Sequence, residues 1–497
     1  MIASAAYERL SALDNAFLVA ETPSVHMHVG AVQIFEAGSL ENADGGVDAD
    51  AFTHRVASLV HLVPRCRQKL KWIPLENHPV WVDDPRFDLD YHIRLTSLPR
   101  PGTDAQLKAL SAQILEQQLD RNRPLWEMWL VEGLAGGRFA VVSKFHHCMI
   151  DGVAGADLVG ILLSTTRETL DAGPEVPYWP RPAPSSWTLF SDASWRRADL
   201  PMKLARELID FVRATVDLRT DVATRLRALR ELFGWATASS VRSPLNGALT
   251  AHRRFDWHSV PLEDVRAVSK AAGCSLNDVV LATVAGALRR FLASRGSSAD
   301  GDFRVSAPVN LRRGEPRPMP GNHVSAWLLP LPIGNPDVRS RLQAIHEATS
   351  ALKRSRSAVA VEMMMAAAEW APASLISWGV RLASGPMNMV VTNVPGPHVP
   401  LYLLGARLEK IYPLVPLLDR CGLGIALFSY NGELFWGFNA SYELVPDLGA
   451  FVRATAESFD ELRNAYGVHG RAPAADALTR RVDGASAARR DTTAEIR

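Results

Sequence analysis

The run Val141-Val142-Ser143-Lys144-Phe145-His146-His147-Cys148-Met149-Ile150-Asp151-Gly152 places two histidines, an aspartate and a glycine directly after an apolar segment. The valines and the phenylalanine predict a β-strand that ends at the histidines. Side chains of neighbouring residues in a strand point to opposite faces, so His146 and His147 cannot both face the same way. We therefore expect one imidazole to reach a cleft and the other to pack inside the fold.

The residues around His147 favour acid–base chemistry. An imidazole has a reference pKa of ~6.5 and is suited to take a proton near neutral pH. Asp151 follows His147 by four positions, where a tight turn would return its side chain, and Gly152 allows a close backbone approach. A histidine pair alone is more typical of ordinary buried or surface positions, and the added Asp-Gly favours a catalytic site. The group to be deprotonated would be a hydroxyl that attacks a thioester.

The cysteines offer an alternative that the sequence disfavours. A cysteine beside a histidine could be a thiol nucleophile, but Cys148 and His147 are adjacent and therefore point apart. The chain has four cysteines far from one another and no CxxC pair, so we predict no metal site. The four are Cys66, Cys148, Cys274 and Cys421.

Local patterns predict a mixture of helices and strands along the chain. Residues 29–35 and 91–95 are predicted as strands, and residues 276–294 as a helix capped by Ser275. Asn431-Gly432 is a hairpin signal. The arginine-rich residues 201–233 are predicted to be helical, either as a solvated connector or, less favoured, as a binding surface for acidic groups.

The spacing of the two histidines, Asp151 and Gly152 resembles the HHxxxDG motif of the CoA-dependent acyltransferase superfamily, which includes chloramphenicol acetyltransferase and the condensation domains of peptide synthetases. Further segments, in order along the chain, are similar to the bacterial wax ester synthase/diacylglycerol acyltransferase family. The resemblance runs from about Leu10 to Tyr466, and this ordered set is more specific than the motif alone. The segments include Leu10-Ser11-Ala12-Leu13-Asp14, Met27-His28-Val29-Gly30, Pro124-Leu125-Trp126-Glu127, Leu276-Asn277-Asp278, Pro308-Val309-Asn310-Leu311-Arg312 and Asn393-Val394-Pro395-Gly396-Pro397.

The resemblance implies an α/β (α+β) fold class: two chloramphenicol-acetyltransferase-like domains, with mixed sheets, flanking helices and an active-site tunnel between them. A length of 497 residues also favours more than one core. We assign residues 1–185 to an N-terminal acyltransferase domain that carries the motif, and residues 186–252 to a linker with connector helices. Residues 253–467 form the predicted C-terminal acyltransferase-like domain, and residues 468–497 a disordered tail.

The resemblance also implies roles for the residues of the motif. His147 is the general base, and His146 and Gly152 complete the motif around it. Asp151 takes a structural role, and a buried carboxylate needs a partner. Arg67 is the first candidate for that partner by its position in the chain, with Arg65 as reserve.

Two other segments have roles for which the sequence leaves alternatives. Asn277 is predicted either to support the oxyanion of a tetrahedral intermediate or merely to cap a helix. Asp278 beside it belongs to the same family motif and is assigned to substrate binding. Pro124, Leu125 and Trp126 either line the substrate channel or form a buried segment that begins a strand.

The expected activity is acyl-CoA-dependent esterification of diacylglycerol, a long-chain fatty alcohol, or both, through a ternary complex. Acyl-CoA is a co-substrate, and we expect no bound cofactor and no metal. One alternative is an acyltransferase of the same superfamily with another alcohol or an amine as acceptor. The other is a non-catalytic lipid-binding protein of the same fold, which the intact motif disfavours.

Charge and hydropathy limit the partners and the location. The formal net charge of +1 gives no reason to expect nucleic acid as a partner. The acidic Glu8 and Asp14 do not fit a signal peptide, so we expect a cytoplasmic protein. The apolar residues 358–380 carry two glutamates and a proline, and they predict either a buried helix or a lipid-facing surface helix. Because both predicted substrates partition into lipid, we expect peripheral association with a membrane or a lipid-droplet surface.

Overall fold

The computed structural model describes residues 7–42, 46–76, 78–149, 160–168, 176–198, 243–298, 301, 303–310, 324–354 and 387–468. The strands among them are β1 Glu8–Arg9, β2 His28–Glu36, β3 Gln68–Trp72, β4 Pro79–Asp83, β5 Ile93–Ser97, β6 Trp126–Leu134, β7 Arg138–His146, β8 Arg253–Pro261, β9 Phe303–Asn310, β10 Val324–Leu331, β11 Met389–Pro395, β12 Tyr402–Leu403, β13 Ala406–Leu414, β14 Leu423–Tyr430 and β15 Glu433–Ser441. The α-helices among them are α1 Ala12–Ala20, α2 Ala49–Leu59, α3 Leu89–His92, α4 Asp104–Glu116, α5 Ser186–Ala198, α6 Leu262–Ala272, α7 Leu276–Ser294, α8 Val338–Arg354 and α9 Leu448–Ala465.

The strand that carries the motif lies inside a six-stranded mixed sheet of order β12-β13-β2-β7-β6-β5. Strand β7 pairs antiparallel with β2 on one side and with β6 on the other. Its residues after Arg138 are all buried, as their apolar pattern predicts. Because β7 has a neighbour on each side, the position of the residues at its end is set by two other strands.

Two strands from late in the chain, β12 and β13, complete this sheet. Strand β13 pairs antiparallel with β2, with Tyr412 opposite Val32. The Tyr412 ring also stacks on Trp257 of β8, with ring centroids 4.6 Å apart. At Gly437 of β15 an added Cβ would lie 1.9 Å from the carbonyl oxygen of Pro413, so only glycine allows this approach of β15 to β13. The first and last parts of the chain thus share one core, and the domain boundaries assigned from the sequence stay a prediction.

The second six-stranded sheet has the order β10-β9-β11-β14-β15-β8 and contains both parallel and antiparallel pairs. Helix α7 begins with the predicted cap, in which the Ser275 side chain accepts from the Asp278 N–H and the Asp278 side chain accepts from the Ser275 N–H. Most of its apolar residues are buried with those of α9, and Phe291 of α7 packs edge-on against Phe451 of α9. The mixed α/β architecture that the sequence predicts is confirmed.

A three-stranded sheet of order β1-β4-β3 carries helix α5 on its surface. Leu189 and Ala193, one turn apart on α5, pack against Ile73, Val80 and Val82. Residues 176–185 approach the sheet as an irregular segment, and Arg181 forms an ion pair with Asp83 over 2.9 Å. The proline-rich stretch therefore docks on the first half of the chain where it is described.

Local predictions hold except at one boundary. The hairpin at Asn431-Gly432 is confirmed, with φ of 45° and 88° at the two residues. The strand predicted over 91–95 is wrong at its start, because Leu89–His92 is helical and the strand begins at Ile93. The Asp88 side chain accepts from the Asp90 N–H and caps that helical turn. The predictions for residues 151–152, 201–233, 358–380 and 469–497 lie outside the described residues.

Within the described ranges, no single helix has both the length and the apolar composition to cross a bilayer. Helices α6 and α7 meet that criterion only when taken together, with a bend of 99° between them.

Candidate active site

Both histidines of the motif are held by their backbones at the end of β7. The N–H of His146 donates to the Leu125 carbonyl over 2.9 Å, and the N–H of His147 donates to the Met27 carbonyl over 2.7 Å. Leu125 directly precedes β6, and Met27 directly precedes β2. The two neighbouring strands therefore fix the main chain of the motif from opposite sides.

The two imidazoles have different surroundings, as the alternation along a strand predicts. His147 is partly exposed, and its ring stacks on the ring of Phe17 from α1, with centroids 3.9 Å apart and planes 17° apart. The His146 side chain is fully buried. Of the two, only His147 is partly accessible at the surface.

The hydrogen bonds of His146 indicate its tautomer. Its Nδ1 accepts from the Cys148 N–H over 3.1 Å, so this nitrogen carries no proton. A neutral His146 therefore has its proton on Nε2, which lies 3.5 Å from the Glu21 carboxylate. The Glu21 carboxylate and the Cys148 N–H thus contact opposite edges of the His146 ring.

Glu21 follows the last residue of α1 and is the buried acid of the site. Arg121 contacts its Oε2 through Nε at 3.1 Å and Nη2 at 2.7 Å. Its Oε1 lies 3.4 Å from the Met27 N–H and 3.7 Å from Nε2 of His28. Burial by itself raises the pKa of Glu21, but the neighbouring His146 and Arg121 outweigh it and hold the pKa well below the usual value. Glu21 is therefore a carboxylate at neutral pH.

A second buried charge supports the sheet beside the site. Burial lowers the pKa of Lys144 on β7, while Glu127, 3.4 Å away, opposes this shift. The Lys144 ammonium donates to the carbonyls of Ile114 and Gln117, at 3.0 and 2.9 Å. These carbonyls lie at the end of α4, so Lys144 caps that helix and ties it to the sheet.

The alternative nucleophile, Cys148, lies in an apolar cluster with Leu10, Leu18 and Leu125. Burial raises the pKa of the Cys148 thiol well above its usual value, so the thiol is protonated at neutral pH. A buried, protonated thiol is a poor nucleophile, which agrees with the disfavoured status of this alternative. In the part of the chain that the structure describes, no three His, Cys, Asp or Glu side chains are grouped to hold a metal ion.

The segment Pro124-Leu125-Trp126 lies in the core at the start of β6. Leu125 and Trp126 are both buried, and the Trp126 indole N–H donates to the Cys66 carbonyl over 2.8 Å. The Trp126 ring stacks on His92, with centroids 4.5 Å apart. These contacts favour the alternative in which the segment is a buried start of a strand, and a role in the substrate channel stays a prediction.

The two arginines that the sequence offers as partners of Asp151 occupy different environments. The Arg67 guanidinium lies 4.5 Å from the centre of the Tyr178 ring, and its Nε is buried. Arg65 pairs with Glu8 at 2.8 Å and donates to Gln68. Arg65 is therefore already engaged by other groups, and because Asp151 lies outside the described residues the pairing with Arg67 stays a prediction.

Asn277 and Asp278 lie on the first turn of α7, in the C-terminal part of the chain. The helix cap is Ser275, so capping does not explain Asn277. The Asn277 side chain is exposed, and its amide oxygen accepts from the Asn393 amide over 2.8 Å. Asp278 is fully buried and accepts from the Thr349 hydroxyl at 2.7 Å, beside other polar partners. The assigned roles in oxyanion support and substrate binding stay predictions.

Sequence reasoning did not single out Phe17, Glu21 or Arg121, and it named His28 only within a family segment, without a role. A weak signal was present, because Glu21 is an acid directly after the apolar run Ala16-Phe17-Leu18-Val19-Ala20. An acid in such a position is often exposed at a helix end, and the sequence gives no distance from Glu21 to His146. Only the packing of α1 against the end of β7 reveals the contact.

Comparison with solved structures places this fold in a class. The starter condensation domain of a rhizomide synthetase, solved in complex with C8-CoA and Leu-SNAC, superposes with a TM-score of 0.58 at 14% identity, over 93% of this chain and 95% of that chain. A wax ester synthase/diacylglycerol acyltransferase from Marinobacter aquaeolei VT8 superposes with a TM-score of 0.64 at 26% identity, over 92% of this chain and 100% of that chain. The fold, with a histidine at the end of a central strand, is that of the two-domain, condensation-domain-like acyltransferases.

Sequence comparison then defines the family. Residues 10–280 match the wax ester synthase/diacylglycerol acyltransferase catalytic domain, and residues 320–463 match the WS/DGAT C-terminal domain. The chain belongs to the wax ester synthase/diacylglycerol acyltransferase family and is an O-acyltransferase, which confirms the resemblance seen in the sequence.

Two relatives in Mycobacterium tuberculosis strain H37Rv match over nearly their whole length. Both are named as diacylglycerol O-acyltransferases. One is 33% identical over 477 residues, which is 92% of this chain and 90% of the relative. The other is 31% identical over 462 residues, which is 91% of this chain and 95% of the relative.

Proposed function

We propose that this enzyme transfers an acyl group from acyl-CoA to the hydroxyl of diacylglycerol, of a long-chain fatty alcohol, or of both, with His147 as general base in a ternary complex. The names of the Mycobacterium relatives support diacylglycerol, and the name of the Marinobacter relative adds wax ester synthesis. The related condensation domain that binds C8-CoA supports acyl-CoA as co-substrate. No resident cofactor is needed for this transfer.

The proposed reaction uses one imidazole twice. His147 takes the proton of the acceptor hydroxyl while the hydroxyl oxygen forms a bond to the thioester carbonyl carbon. A tetrahedral oxyanion results, and its collapse breaks the carbon–sulfur bond. The imidazolium of His147 then returns the proton to the departing CoA thiolate. The products are an ester and free CoA, and the histidine ends in its original state.

The position of the His147 ring is the observation that carries this proposal. His147 directly follows β7, whose residues after Arg138 are all buried, and is itself partly exposed. Stacking on Phe17 and the backbone bond to Met27 hold it in one orientation. A general base must be both accessible and oriented, and in this motif His147 meets both conditions while His146 is buried.

The acceptor is tested with purified full-length enzyme, radiolabelled palmitoyl-CoA, and diacylglycerol or hexadecanol offered in parallel. We expect labelled triacylglycerol, labelled wax ester, or both. The total amount of ester should equal the amount of CoA thiol released. Thiol release that depends on an added amine or another alcohol would identify the alternative acceptor class. A folded protein that binds lipid but forms no ester and releases no thiol would overturn the proposal in favour of the non-catalytic alternative.

We also propose that the protein is cytoplasmic and associates peripherally with membranes or lipid droplets through the outer face of α5. Trp187 and Trp195 on this helix are 73% and 74% exposed, and Trp179 just before it is 86% exposed. The two helical tryptophans lie eight residues apart, opposite the buried Leu189 and Ala193. Exposed indoles on one face of a helix, as at Trp187 and Trp195, are typical of contact with a membrane interface.

Charge near these tryptophans also favours a lipid surface. Arg196 and Arg197 lie in the last turn of α5, beside Trp195. Basic residues next to aromatic ones are attracted to anionic headgroups. We therefore commit to a lipid surface, rather than another protein, as the partner of this face.

The double variant Trp187→Ser/Trp195→Ser is expected to bind vesicles of phosphatidylcholine and phosphatidylglycerol about tenfold more weakly or worse, because binding strength follows the apolar area inserted. Co-sedimentation with vesicles measures the effect. The control is Leu95→Ser, which removes an exposed apolar residue from the edge strand β5. Equal vesicle binding by the wild type and the double variant would exclude this face, and capture of a protein partner in its place would point to an interaction surface.

A further inference from the structure

We infer that Glu21 is a positioning residue for His147. Its two carboxylate oxygens connect by separate routes to two backbone groups: the carbonyl that accepts from the His147 N–H, and the N–H of the residue that follows His147. The inference rests on the proposed function, in which His147 is the general base. Glu21 does not approach the reacting atoms in this scheme and acts only through other groups.

The first route runs through Met27. The Met27 N–H lies 3.4 Å from Oε1 of Glu21, and the Met27 carbonyl accepts from the His147 N–H over 2.7 Å. The same peptide segment is thus held by Glu21 at one end and holds His147 at the other. Met27 directly precedes β2, so a shift of this segment would move His147 relative to the sheet.

The second route runs through the buried His146. Its Nε2 lies 3.5 Å from Oε2 of Glu21, and its Nδ1 accepts from the Cys148 N–H over 3.1 Å. Cys148 is the residue directly after His147. Glu21 therefore favours the tautomer of His146 that can accept from Cys148, and this bond shapes the turn that presents His147.

Helix α1 adds a third contact from the same turn. Phe17 and Glu21 are four residues apart, and the Glu21 N–H donates to the Phe17 carbonyl over 3.1 Å. Residues with this spacing share one face of a helix. The Phe17 ring stacks on the His147 ring, so the end of α1 contacts both the imidazole and its backbone supports.

The cost of burying Glu21 argues for a role beyond stability. The Glu21 side chain is only 1% exposed, whereas that of its partner Arg121 is 31% exposed. Desolvation of a carboxylate is unfavourable, and replacing buried ion pairs by apolar residues is often neutral or stabilising. A charge kept at this place, in contact with both supports of His147, is explained by orientation of the base.

Glutamine cannot replace this carboxylate without loss. Glu21 accepts from Arg121 and faces the Nε2 proton of His146 on one oxygen, and it faces the Met27 N–H with the other. A glutamine amide has a single acceptor oxygen, so its NH2 group would face a donor on one of the two sides. One of the two routes to His147 would therefore be broken.

We expect Glu21→Gln to lower kcat by roughly 10- to 100-fold with the KM for acyl-CoA unchanged, since small misplacement of a catalytic group has effects of this size. Glu21→Asp keeps the charge but has a shorter reach, and we expect a smaller, several-fold loss of kcat. Rates are expressed per folded molecule, with the folded fraction taken from near-ultraviolet circular dichroism and thermal unfolding. If Glu21→Gln does not fold, Glu21→Asp decides by the same measurement.

Asp264→Asn is the matched control. Asp264 is a buried carboxylate on α6, and it forms an ion pair with Arg463 over 2.8 Å. The substitution is expected to lower thermal stability without changing kcat per folded molecule. A Glu21 variant that folds and keeps kcat within twofold of the wild type, while His147→Ala loses about 10²- to 10⁴-fold in kcat, would overturn this inference and leave the proposed function intact. Near-normal turnover by His147→Ala would instead defeat the proposed function.

Discussion

Replacing His147 with alanine is expected to lower kcat by about 10²- to 10⁴-fold, which is the usual contribution of a general base. Without the imidazole, the acceptor hydroxyl must attack the thioester while still protonated, or lose its proton to water. The KM for acyl-CoA should change little, because the base acts on the acceptor and not on CoA binding. Radiolabelled palmitoyl-CoA with the acceptor that the wild type prefers measures both constants.

The fold should survive this change. His147 is partly exposed, and its bond to the Met27 carbonyl is made by the backbone, which alanine retains. His54→Ala is the matched control, because His54 lies exposed on α2. The control should match the wild type in kcat. A His147→Ala enzyme with near-normal turnover would show that another group removes the proton.

The second large effect is expected on stability, from Trp126→Ala. Trp126 is 1% exposed, donates its indole N–H to the Cys66 carbonyl and stacks on His92. Truncating a buried tryptophan to alanine costs about 3–5 kcal/mol, because a cavity replaces its contacts. The free energy of unfolding, taken from urea denaturation at constant m-value, should fall by about this amount.

Trp126→Phe separates the two interpretations of this segment. It keeps an aromatic ring near His92 but leaves the Cys66 carbonyl without its donor, which costs about 1–3 kcal/mol. If Trp126 is a core residue, both variants lose stability and keep the wild-type preference among acyl-CoA chain lengths. A changed chain-length preference with unaltered stability would favour the substrate channel.

Much of the fold could be predicted from local patterns. The apolar run before His146, the Ser275 cap and the Asn431-Gly432 turn each have short-range physical causes, and the structure confirms them. The strand predicted over 91–95 starts late because Asp88 caps a helical turn first. A side chain that caps its own backbone competes with strand formation, and the apolar pattern does not reveal which one wins.

Local patterns could not predict which strands pair when they lie far apart in the chain. Strand β13 joins β2, with Tyr412 opposite Val32, although the two residues lie in opposite parts of the chain. Nothing in the sequence near Tyr412 names its partner strand. The need for glycine at position 437 is explained only by the close approach of β15 to β13 in the tertiary structure.

The sequence by itself determined the family, because the motif and the other family segments are runs of neighbouring residues that can be read along the chain. The resemblance then implied the mixed α/β architecture and His147 as the base. The tertiary structure alone decided what surrounds that imidazole. Glu21 reaches His146, and Arg121 reaches Glu21, from positions about a hundred residues away or more. Such contacts depend on sheet order and helix packing, which short-range patterns do not encode.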